Sequence, residues 1–126
     1  MATNQDQGVN VVNHTAGAAY SSGDVVVLGT VAGQACTVGV ALTDIASGAV
    51  GPVAIRGTFT LAKVSGAVIV QGELVDWDAS ASAVDDNVAT SATGDVPGFG
   101  MAMESAGSGV TTIAVQLLPG HGTLTA

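Results

Sequence analysis

The sequence predicts an all-β domain: a compact antiparallel β-barrel or sandwich with an internal pseudo-repeat and an extended N-terminal arm. Three observations lead there. From Gly23 onward, short β-branched runs alternate with clusters of Gly, Ser, Asp and Pro. No window carries a sustained 3.6-residue period, so helices find no support. The order of elements in the first half of the chain also returns in the second.

Residues 1–19, MATNQDQGVNVVNHTAGAA, are polar and aperiodic, and are expected to form the arm. Residues 20–126 then make a single β domain. Strands are expected at 24–31, 35–42, 52–61, 67–77, 87–90, 97–104 and 110–118. Alternation is clearest in PVAIRGTFTLAK (52–63). Val53, Ile55, Phe59 and Leu61 fall on one face, and Ala54, Arg56, Thr58 and Thr60 on the other. In GELVDWDAS (72–80), Asp76 and Asp78 share a face about 6.6 Å apart along the strand, while Trp77 points the opposite way beside Val75. Phe59 and Trp77 are the expected core anchors. The echo pairs SGDVVVLG (22–29) with QGELVDWD (71–78). It also pairs GVALTDIASGAVGPVAIRG (39–57) with GMAMESAGSGVTTIAVQL (100–117), one residue shorter.

Composition narrows the function. In 126 residues the apolar share is 48% but aromatics make up only 3%, so the core must be built from Val, Ala, Leu and Ile. Eighteen glycines add unfolded-state entropy that this core must overcome, which points to stability borrowed from partner surfaces. The formal charge is −8, and Arg56 and Lys63 are the only strong bases. Nucleic acid and anionic membrane both require many more cations. Mean hydropathy is +0.54, yet glycines punctuate VVVLGTVAGQACTVGVALT (25–43), which reads as two strands and a turn rather than a span. MATNQDQ has neither a basic nor an apolar run, so no secretory signal is expected. Cys36 is alone, which rules out an internal disulfide, and its apolar strand suits an inert buried thiol.

The carboxylates and histidines give weak grounds for chemistry. Glu73, Asp76 and Asp78 lie within six positions. Read as a calcium loop from Asp76, the glycine position holds Ala81 and the closing glutamate position holds Asn87. The stretch is expected to be a solvated strand end. Asp85-Asp86-Asn87 reads as a turn. His14 and His121 lie in opposite terminal segments, and with Cys36 they fall short of a zinc ligand set. No nucleophile elbow, phosphate loop or dinucleotide fingerprint occurs. The expectation is a non-enzyme with no cofactor and no metal.

The order of motifs resembles the small bacteriophage capsid cement, or head decoration, proteins. It runs SGDVVVLG (22–29), GVAL (39–42), GTFTLAK (57–63), GELVDWD (72–78), GMAM (100–103) and TTIAVQLLPG (111–120), covering about residues 22–120. Ala62 stands where that family has proline, and Asp76 where an aromatic is common. The resemblance implies a protein of the outer virion surface, present in host cytoplasm before assembly. It would sit as a homotrimer at three-fold and quasi-three-fold positions and brace the major capsid protein against packaged DNA. On that reading the expected capsid contacts are Thr3, Asn4, Gln5, Val9, Val11 and Val12 of the arm, with the scarce cations Arg56 and Lys63. Those cations serve either specific ion pairs or simple solvation. A glycan- or host-surface-binding β module is the alternative, and it would need Tyr20 and Trp77 facing solvent. A metal-dependent hydrolase using Asp76 and Asp78 is the third.

Overall fold

The computed structural model describes residues 11–29, 33–87 and 91–125. Among them there is no helix. The strands are β1 (Val11–Thr15), β2 (Val25–Leu28), β3 (Ala35–Ala41), β4 (Val50–Ala54) and β5 (Thr58–Ala62). They continue with β6 (Leu74–Asp78), β7 (Ala83–Asp86), β8 (Val96–Ala102), β9 (Thr112–Leu117) and β10 (Gly122–Thr123). Two five-stranded sheets result, antiparallel at every strand pair. This is the all-β class that the alternating short runs predict.

The path β1-β4-β3-β2 through the first sheet is followed again by β5-β9-β8-β6 in the second. Matching main-chain bonds accompany it. Gly23 N–H donates to Ala41 O at 2.7 Å, and Gly72 N–H to Ala102 O at 2.8 Å. Tyr20 and Ile45 exchange a pair of bonds across a bridge, as do Ile69 and Ala106. Leu42 N–H meets Pro52 O where Met103 N–H meets Ala114 O.

The fifth strand of the second sheet, β7, covers the outer edge of β6. Val84 of β7 then bridges in parallel to Lys63, with Val64 N–H donating to Val84 O at 2.9 Å. That bridge draws the two edges of the sheet together. β10 pairs with the start of β3 and lies against β8, tying one sheet to the other.

Several strand boundaries differ from expectation. The run 52–61 is two strands in different sheets, because Gly57 (φ 110°) turns the chain between β4 and β5. Val53 therefore packs in a small cluster with Ala16, Val26, Ala41 and Ile45, while Leu61 belongs to the main core. The run 67–77 breaks at Gly72 (φ 93°), leaving β6 and the Ile69–Ala106 bridge. β7 at 83–86 was not expected, and residues 88–90 of the strand expected at 87–90 fall outside the described residues. Residues 11–15 of the expected arm are β1, paired with β4 over five positions, and residues 1–10 fall outside the described residues.

The main core gathers Cys36, Val38 and Val40 from β3 with Val75, Val84, Val96, Ile113 and Val115 of the second sheet. Trp77 stacks edge-on to Phe99, ring centroids 6.3 Å apart at 83°. This pair supplies the largest rings in a core otherwise made of aliphatics. Where β3 passes β4, a Cβ on Gly39 would lie 2.5 Å from Val53 Cγ1 and 2.6 Å from Ala54 O. Gly100 faces the same obstruction on β9, 2.6 Å from Val115 Cγ1 and 2.9 Å from Gln116 O. Gly100→Ala is expected to destabilise by about 1–3 kcal/mol through overpacking, read as a lower midpoint in urea with unchanged slope.

Candidate functional site

The VDWD stretch is β6, and its alternation sends Val75 and Trp77 into the core as expected. Asp76 departs from the solvated strand end that the pattern suggested. It is only 6% exposed, and its Oδ1 accepts the Gly98 N–H at 3.0 Å. Burial pushes its carboxyl above the usual range; that bond opposes the shift, and Asp85, Asp86 and Asp95 add to it. The buried face is created by β8 crossing β6 with a register shift between Val75 and Trp77, a feature with no local sequence signal.

Asp78 behaves differently. Its Oδ1 accepts the Ser80 hydroxyl at 2.8 Å and the N–H groups of Ser80 and Ala81 at 3.0 and 3.1 Å. The Ser80 hydroxyl bond leads in holding its carboxyl below the ordinary value. Asp95 is buried and accepts N–H groups from Ala79 and Ala92. These carboxylates fasten turns. Among the described residues, no group of three or more His, Cys, Asp or Glu side chains could hold a metal ion.

The expected contact residues separate. Thr3, Asn4, Gln5 and Val9 lie outside the described residues. Val11 is exposed, and Val12 is half-buried against the smaller cluster. Arg56 is exposed at the corner between β4 and β5.

Lys63 corrects the expectation of a cation offered to a partner or to water. It is 4% exposed, and its Nζ donates to the carbonyls of Val64 (2.8 Å), Val110 (3.0 Å) and Gly107 (3.2 Å). The ammonium therefore pins the 107–110 turn to the end of β5. Alternation along β5 gave no hint of this, since two of the three acceptors come from a turn more than forty residues away.

Phe59 is half-buried against the main core. Trp77 is 8% exposed, so it offers no open ring face for a sugar. Cys36 is buried, and that burial raises its thiol above the ordinary value. His121 is exposed, with Nδ1 2.9 Å from Gly98 O. His14 lies in β1, in the other sheet.

The surface holds two features that sequence reasoning missed. One is a cleft of about 440 Å³ between the sheets, lined by Tyr20, Asp24, Val25, Leu61, Trp77 and Ser82 among others. The second is a group of exposed apolar side chains, Val68, Val70, Leu74 and Met103, near the 70–73 turn. The bond from Gly72 N–H to Ala102 O draws the turn that carries Val70 and Leu74 beside Met103.

The described surface carries exposed apolar side chains and strand edges on an all-β scaffold. The chain belongs to the phage cement proteins, whose family model covers residues 4–117. That is a family of capsid-associated structural proteins of bacteriophages. No curated protein and no solved structure matches the chain.

Two stability effects follow from the buried charges. Lys63→Met is expected to cost about 2–4 kcal/mol, because three carbonyls lose their donor, measured by chemical denaturation. The raised Asp76 carboxyl means that the folded state binds this proton more tightly than the unfolded chain. Its contribution to stability is thus fully present below the unfolded value of about 3.8 and is lost as pH rises through the folded one. Asp76→Asn keeps an acceptor for Gly98 and removes the charge. Its melting temperature is expected to exceed that of the parent at pH 7, with the gap closing as pH falls toward 3.8. An equal gap at both pH values would contradict the assignment.

Proposed function

We propose that this protein cements the outer surface of an icosahedral phage shell. It does so as a homotrimer at three-fold and quasi-three-fold positions, holding neighbouring major capsid subunits against the pressure of packaged DNA. The family membership carries this reading. The molecule supports it in two ways. Val68, Val70, Leu74 and Met103 expose apolar side chains of the kind that partner surfaces cover. The formal charge of −8 keeps free copies apart before assembly. Three weak contacts held in one trimer bind with far greater avidity than one.

The arm is the second contact in this proposal. Thr3, Asn4, Gln5 and Val9 reach along a capsid subunit, with Val11 and Val12 on the adjoining edge strand and Arg56 forming an ion pair with a subunit carboxylate. We also read the two matching strand paths as two copies of one four-strand unit. Both copies would then present similar edges to the shell.

The test is to mix purified protein with expanded, undecorated shells of the source phage and count bound copies after sedimentation. Saturation in multiples of three, with greater resistance of the shells to heat, is the expected result. Shells that stay bare at saturating protein would defeat the cement role. Deleting residues 2–10 is expected to lower shell affinity at least about tenfold while leaving the melting curve of the domain in place. Unchanged occupancy by the truncated protein would remove the arm from the mechanism.

A further inference from the structure

We propose that the cleft between the sheets is a receptor for a short extended segment of polypeptide carrying a lysine or arginine, contributed by the shell subunit. This rests on the cement reading and names the surface through which it acts.

Two strand edges meet the cleft with main-chain groups that no other described strand pairs. Ala41 N–H donates to Asp24 O at 2.8 Å, which makes Val25 and Val40 a pair that exchanges no hydrogen bonds. The N–H and C=O of Val25, and by alternation those of Val27, therefore point away from β3. Across the cleft, Leu117 N–H donates to Gly57 O and Lys63 N–H to Thr111 O. That register turns the main-chain groups of Thr58 and Thr60 away from β9, while Ala62 faces β7 at the Lys63–Val84 bridge. Val25, Thr60 and Ala62 all line the cleft. Among the described residues, β2 pairs with β3 alone.

The protein already shows how such an edge is filled. In the second sheet the outer edge of β6 is taken by β7, whose Val84 enters the core. β2 holds the position of β6 in the first sheet and has no such strand among the described residues. An incoming segment would add the missing strand through main-chain bonds, the usual chemistry of β-augmentation.

Charge selects the occupant. Exposed Asp24 lies on the rim, and the chain as a whole carries −8. Lys63, next to Ala62 in sequence, is turned into its three carbonyls and leaves this acidity unopposed. The N-terminal segment of a second copy is a poor match, since residues 1–10 contain Asp6 and no lysine or arginine. A basic segment of a different chain complements the rim.

Amide hydrogen exchange on decorated shells, compared with free protein, reads the proposal without any substitution. The amides of Val25, Val27 and Thr60 are expected to exchange at least about tenfold more slowly on the shell. Thr60→Pro removes one outward donor at an edge position, leaves the bonds to β9, and is expected to weaken shell binding about tenfold. Thr60→Ala keeps the donor and should bind like the parent. Asp24→Asn, which retains the acceptor for Ser21 N–H, should weaken binding at low salt and flatten its salt dependence. Decorated shells on which those three amides stay unprotected, with Asp24→Asn binding as the parent does, would overturn the cleft alone. Wild-type protein that leaves the shells bare would overturn the cement reading and the cleft together.

Discussion

Each sheet depends on a strand coming closer to its neighbour than a side chain permits. Gly39 in β3 and Gly100 in β8 occupy the same place in the two matching paths, and each faces a valine methyl and a carbonyl oxygen where a Cβ would stand. Without the glycine, Val53 and Val115 would have to leave the space that they fill in their respective cores. With so few aromatic rings, this core gains its dispersion contacts from tight aliphatic packing rather than from large side chains. The glycines that raise the entropic cost of folding thus also permit the packing that offsets it.

The fold class was legible because it rests on local signals. Short β-branched runs, turn residues and the recurring Gly-acid-apolar order all survive in the folded chain as strands beginning after a turn. Boundaries failed where one residue changes the direction of the chain. Gly57 sits inside an alternating run that reads as one strand of ten residues, and its positive φ sends the two ends into different sheets. Burial was harder still. Nothing near Asp76 or Lys63 in sequence announces that β8 or a distant turn will cover them, so both were expected in solvent or at a partner. The cleft was invisible for the same reason, since its walls come from β2, β5 and β6 and exist only once the sheets are assembled.

Acidity is unevenly used in this molecule. Asp76, Asp78 and Asp95 spend their oxygens on main-chain N–H groups around one end of the second sheet. Asp24 and Asp44 do the same beside the first sheet, where they accept from Ser21 and Ser22. Short carboxylates therefore do the work of turn capping in a chain rich in turns, and the net charge is partly a consequence of how the turns are built. A surface so charged favours basic partners and disfavours its own copies at long range, which leaves short-range apolar contact to hold any oligomer together.

The joint between β4 and β5 has a consequence for proteolysis. Trypsin cleaves after lysine and arginine, and the chain offers it only Arg56 and Lys63. Lys63 is enclosed by the carbonyls that it binds, so in the folded protein the bond after Arg56 is the one left within reach. That bond lies between β4 and β5, outside every strand. A nick there separates β1–β4 from β5–β10 in the polypeptide without cutting any strand. What then holds the pieces together is the pairing of β10 with β3 and the shared aliphatic core, so the nicked protein isolates the strength of the non-covalent seam.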